Sequence, residues 1–64
     1  SAPLTPRETQ CLAWDARGKT FAEIGEILEI SARTVKAHLD HAKTKLGVAT
    51  LREAISVMAS SKPN

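Results

Sequence analysis

Three times in 64 residues the chain places a threonine three positions ahead of a glutamate at the head of an apolar pattern: Thr5-Pro6-Arg7-Glu8, Thr20-Phe21-Ala22-Glu23 and Thr50-Leu51-Arg52-Glu53. In such a capping box the hydroxyl accepts from the third helical amide and the carboxylate accepts from the cap's own N–H, so two donors that a helix start leaves open are satisfied. Repeated helix starts of this kind commit the chain to helices, and no segment alternates with the period of two expected of a strand. Pro6 occupies a first helical position and Gly18 a stop, so a first helix is expected over about residues 6–17. Ile24, Ile27 and Leu28 fall on one side of a short second helix, broken at residues 29–31. Ser31 caps a third, whose Val35, Leu39, Ala42 and Leu46 form one inward stripe closed by Gly47. A fourth opens at Thr50 with Leu51, Ile55 and Met58 inward. The fold class expected is all-α, with four helices. Cys11 and Trp14 sit on the flank of the first helix, away from a Leu12 and Ala16 stripe, which leaves Trp14 partly exposed at the edge of the core.

A chain of this length holds one hydrophobic core. Its 42% apolar and 25% charged content is that of a globular domain rather than a disordered segment. Residues 1–4 read as the end of an N-terminal linker, 5–59 as the domain and 60–64 as a flexible tail. The lone Cys11 excludes an intramolecular disulfide, and no stretch nears the roughly 18 apolar residues of a membrane span. Residues 1–5 carry neither the basic nor the apolar part of a signal peptide, so the cytoplasm is the expected compartment.

Only a few residues join the second and third helices, which makes them cross rather than pair as a hairpin; this is helix-turn-helix spacing. Gly25 stands where the crossing backbones approach, although any small bundle needs a small residue somewhere, and spacing alone leaves both readings open. Charge is distributed unevenly. Over residues 1–30 three bases face five acids, and over residues 31–48 four bases face only Asp40. With Val35, Leu39, Ala42 and Leu46 inward, about 100° per residue turns Arg33, Lys36, Ala37, Asp40, His41 and Thr44 outward. Short and long polar side chains of this kind suit a helix entering the major groove, and a merely solvated face looks similar. On the groove reading Lys36, Arg33, Ala37 and Asp40 are candidates for contact with bases. Lys19, Thr20, Ser31, Thr34, His41, Lys43 and Thr44 are candidates for phosphates, with Thr20, Ser31 and Thr34 equally explained as caps. Asp40 repels phosphates yet can accept from cytosine N4, and can also pair with Lys36 one turn earlier.

His38 and His41 are three apart, but no further ligand is placed by sequence and no metal or other cofactor is expected. His38, beside the inward stripe, reads as a packed residue. No paired nucleophile and base, phosphate loop or carboxylate dyad suggests an enzyme.

Leu-Thr-Pro-Arg-Glu at 4–8, Gly-Lys-Thr at 18–20, Glu-Ile at 23–24, Ile-Ser at 30–31, Thr-Val-Lys at 34–36, His38-Leu39 and Lys45-Leu46 together resemble the LuxR-type helix-turn-helix domain. The resemblance runs from Leu4 to about Ala59. It implies a DNA-binding output domain of a bacterial transcription regulator, a third helix in the major groove of a two-fold symmetric operator, and a homodimer formed through the fourth helix mainly on DNA. Val57, which falls off the inward stripe, is with Arg52 and Ser56 the candidate dimer surface. Residues 11–20 with the following Glu-Ile-Gly look like the quorum-sensing branch, whose members carry an N-terminal domain that binds an acyl-homoserine lactone. Asp40 departs from a family position that is commonly basic or an amide, and Leu51 from one that is usually arginine. The other reading is a helical protein-interaction module, for instance one that contacts RNA polymerase.

Overall fold

Thr5 accepts from the Glu8 amide at 3.2 Å while Glu8 Oε1 accepts from the Thr5 amide at 2.9 Å, and α1 (Pro6–Ala16) starts on this closed box. Thr20 and Glu23 repeat it at 3.1 and 2.8 Å for α2 (Phe21–Leu28). Ser31 alone caps α3 (Ala32–Leu46), its hydroxyl accepting from the Thr34 amide at 3.0 Å. At α4 (Leu51–Ser60) Thr50 takes the Glu53 amide, but Glu53 Oε1 accepts from the Thr50 hydroxyl. The computed structural model describes residues 3–60, and no strand occurs among them. Of the expected flexible tail, Ser60 is the last residue of α4; residues 61–64, like residues 1 and 2 of the expected linker, lie outside the described residues.

The first three helices end in the same way. Lys19, Ile30 and Val48 donate their amides to the carbonyls of Trp14, Gly25 and Lys43, five residues back, which is the bond that closes a helix on a left-handed residue. Gly18 and Gly47 hold that conformation at φ +86 and +70, whereas at the end of α2 it is Glu29, at φ 61.

α3 packs against each of the other helices, and the core lies where Leu12, Cys11, Ile24, Val35, Leu39 and Ala54 meet. Leu4, Trp14, Phe21, Leu28, Ile30, Leu46, Leu51, Ile55 and Met58 close around them. Three sequence expectations change. Gly25 is buried, and a Cβ there would stand 2.6 Å from the Ile30 carbonyl oxygen, so α2 presses its glycine on the backbone of the following turn. The inward arc of α2 therefore runs through Ile24, Gly25 and Leu28, and Ile27, about 100° away from its middle, is 43% exposed. On α1 the buried residues are Glu8, Cys11 and Leu12, an arc that leaves Ala16 exposed and places Cys11 wholly inside rather than on the flank. On α4 the fully buried position is Ala54, with Leu51, Ile55 and Met58 half-buried around it. Trp14 is half-buried, with the Arg17 guanidinium 5.3 Å above its ring. Burial pushes the Cys11 thiol's pKa up, which keeps it neutral.

Candidate nucleic-acid interface

The stripe Val35, Leu39, Ala42 is wholly buried, and that fixes what α3 shows on its other side. Arg33, Thr34, Lys36, Ala37, His41 and Thr44 are exposed and Asp40 is half-buried. The cap at the head of the helix is tied together, with the Ser31 and Thr34 hydroxyl oxygens 2.9 Å apart. No acid stands in the first turn of α3, in contrast to α1 and α2, so the positive end of this helix dipole is offset by no side chain of its own turn.

Asp40 organises the middle of the face. Lys36 Nζ donates to Asp40 Oδ2 at 2.9 Å, and Lys43 Nζ stands 3.5 Å from Oδ1. The hydrogen bond from Lys36, with the nearby charges of both lysines, holds the Asp40 carboxyl below the usual carboxylate range. One carboxylate thus holds two ammonium groups side by side on the outward surface. The Thr44 hydroxyl donates to the Asp40 carbonyl at 3.1 Å, so its hydrogen is engaged within the helix.

The other phosphate candidates divide. Thr20 is engaged as a cap through both amide and hydroxyl, with the Glu23 carboxylate against its N–H. Lys19 borders a shallow recess with Glu23, Glu26 and Ile27. His41 Nδ1 lies 3.9 Å from Glu8 Oε2, on the side of α3 that faces α1.

Glu8 and Lys45 were not foreseen as partners. Glu8 is only 4% exposed, and Lys45 Nζ donates to its Oε1 at 2.7 Å and to the Pro3 carbonyl at 3.3 Å. The Lys45 hydrogen bond lowers the Glu8 pKa against the opposing effect of burial, with help from the Thr5 amide. Lys45, one of the four bases counted in the positive segment, is therefore turned in toward α1. Sequence holds each residue's local signal, a capping acid and a base next to the stripe, but nothing that pairs positions 37 apart. Among the described residues no three His, Cys, Asp or Glu side chains gather as a metal site, and no helix is long and apolar enough to cross a membrane.

A family model described as bacterial regulatory proteins, luxR family, matches residues 2–58. The chain belongs to the luxR family. This luxR-family domain is 51% identical over 55 residues to the transcriptional activator protein VanR of Vibrio anguillarum, covering 86% of the chain and 23% of that protein. It is 47% identical over 57 residues to the quorum sensing-dependent transcriptional regulator VjbR of Brucella abortus, with 89% and 22% covered. To the transcriptional activator protein BjaR1 of Bradyrhizobium diazoefficiens it is 42% identical over 62 residues, with 97% and 26% covered. The chain therefore spans about a quarter of the length of these relatives. Family and fold together make it a DNA-binding helix-turn-helix domain of transcription regulation, in preference to a protein-interaction module. Asp40 lies on the outward side of α3, and Leu51 is half-buried against the core at the start of α4.

Proposed function

We propose that this luxR-family domain reads a two-fold symmetric operator by laying the outward face of α3 in the major groove. The observation that carries the reading is the wholly buried stripe of α3, which turns Arg33, Lys36, Ala37 and Asp40 outward; on this reading these four are the base readers. Ser31, Thr34 and Lys43, at the ends of that face, contact the flanking phosphates, with Lys19, Thr20, His41 and Thr44 around them. The domain occupies residues 5–59, and two copies pair on DNA through α4 at Val57, Arg52 and Ser56. In a longer parent chain it follows a domain that binds an acyl-homoserine lactone, a reading supported by the resemblance of residues 11–25 and by the similarity to the quorum sensing-dependent regulator VjbR, and it works in the cytoplasm. RNA polymerase is a further partner of the assembled regulator.

Selection of bound sites from random duplexes tests the reading. The expected product is an inverted repeat with half-sites about one helical turn apart, bound at least about a thousandfold more tightly than random duplex at the same salt concentration. A chain that enriches no sequence, or binds all duplexes alike, overturns it.

A further inference from the structure

We infer that Lys36 and Asp40 act as one reading unit, an intact ion pair that recognises a single G·C base pair in one orientation. The inference rests on α3 lying in the major groove as proposed above. The two side chains stand one turn apart on the outward face, 64% and 46% exposed, with Nζ 2.9 Å from Oδ2. In the major groove a G·C pair presents guanine O6, an acceptor, beside cytosine N4, a donor, and because these two atoms are bonded to each other they lie about 2.9 Å apart. The spacing of the ion pair matches the spacing on the base pair, with donor opposite acceptor and acceptor opposite donor.

Both partners keep the capacity to do this. After bonding to Asp40 the ammonium has two hydrogens left, and the carboxylate has further lone pairs on each oxygen. Lys36 thus reaches O6 and N7 of guanine while Asp40 accepts from N4, and neither charge enters the groove without its partner. A lone lysine would donate to any of G O6, G N7, A N7 or T O4 and discriminate little. The carboxylate beside it adds an order, acceptor then donor, which excludes C·G; A·T shows that order in adenine N7 and N6, but offers Lys36 one acceptor where G·C offers two and sets thymine O4 against the carboxylate. T·A shows the same order, but offers Lys36 one acceptor next to a methyl group and sets adenine N7 against the carboxylate. Lys43, 3.5 Å away on the other carboxylate oxygen, keeps the cluster net positive toward the DNA backbone.

The test uses the selected operator, with Lys36→Ala first locating the base pair whose identity that residue reads. Wild-type chain should prefer G·C there over each other pair by about tenfold or more. Asp40→Ala should lose most of that preference at the same pair and at no other. Replacing the cytosine by N4-methylcytosine, which keeps pairing but fills the groove-side N–H position, should weaken wild type about tenfold and leave Asp40→Ala unchanged. If Asp40→Ala alters a different pair, or none, or if the methyl group weakens both chains equally, the two residues do not read together and the inference falls while the groove reading stands. A wild-type chain without any preferred sequence overturns the groove reading and this inference with it.

Discussion

Glu29 occupies a left-handed backbone position that glycine fills at the ends of α1 and α3, and a side chain there carries a steric penalty. Glu29→Gly is expected to stabilise the domain by about 0.5–1 kcal/mol, read as a raised midpoint in urea unfolding with unchanged slope. Gly25 is the opposite case. Its missing Cβ lets the Ile30 carbonyl approach, and since the obstacle is backbone, Gly25→Ala should destabilise by about 1–3 kcal/mol. A thermal midpoint within a degree of wild type would show that the turn yields freely. Lys45→Met leaves the buried Glu8 carboxylate without its cation and should lower stability at neutral pH by about 3 kcal/mol. Adding Glu8→Gln, which still caps α1, should restore much of the loss. A double variant no more stable than Lys45→Met would mean that the lysine acts by packing rather than charge.

At the scale of elements, the proposed pairing of copies falls to α4. Among the described residues its only exposed large apolar side chain is Val57, at 40%, too little to bury the roughly 1,200 Å² of a stable interface. The chain alone should therefore sediment as a monomer at micromolar concentration and pair on a duplex with two half-sites. Val57→Arg should abolish that pairing and leave affinity for one half-site unchanged; an equal loss on both duplexes would place Val57 in the monomer's own packing. The helices themselves were legible in the sequence, because each starts on a threonine or serine that caps through local bonds. Two helix stops were equally plain at Gly18 and Gly47, whereas Glu29 gives no compositional sign of a left-handed turn. Inward faces were less legible. Ile27 and Ala16 were expected inside on apolar period alone, but the backbone contact at Gly25 and the buried Glu8 rotate α2 and α1 away from them. Of the candidate interface, the outward order of α3 followed from its stripe, and the Lys36–Asp40 pair from their spacing of four. The Glu8–Lys45 contact had no such signal, since it depends on how α1 and α3 dock.

For the whole molecule, that contact links stability to pH. Glu8 has a lowered pKa in the folded state, so near and below the ordinary glutamate value of about 4.3 the unfolded chain binds more protons. Its contribution is present above that pH and is lost as pH falls through the folded value. Wild type should accordingly lose stability more steeply on acidification below about pH 4.3 than Glu8→Gln does, and parallel acid-unfolding curves would contradict this. The central claim, that the outward face of α3 reads bases rather than only touching phosphates, is tested most directly at Lys36. Affinities of wild type and Lys36→Ala for the selected operator and for a random duplex, at one salt concentration, are the measurement. The expected result is a loss of about 1–3 kcal/mol on the operator, little change on random duplex, and relaxed preference at one base pair. Equal losses on both duplexes would make Lys36 a phosphate contact and contradict the account.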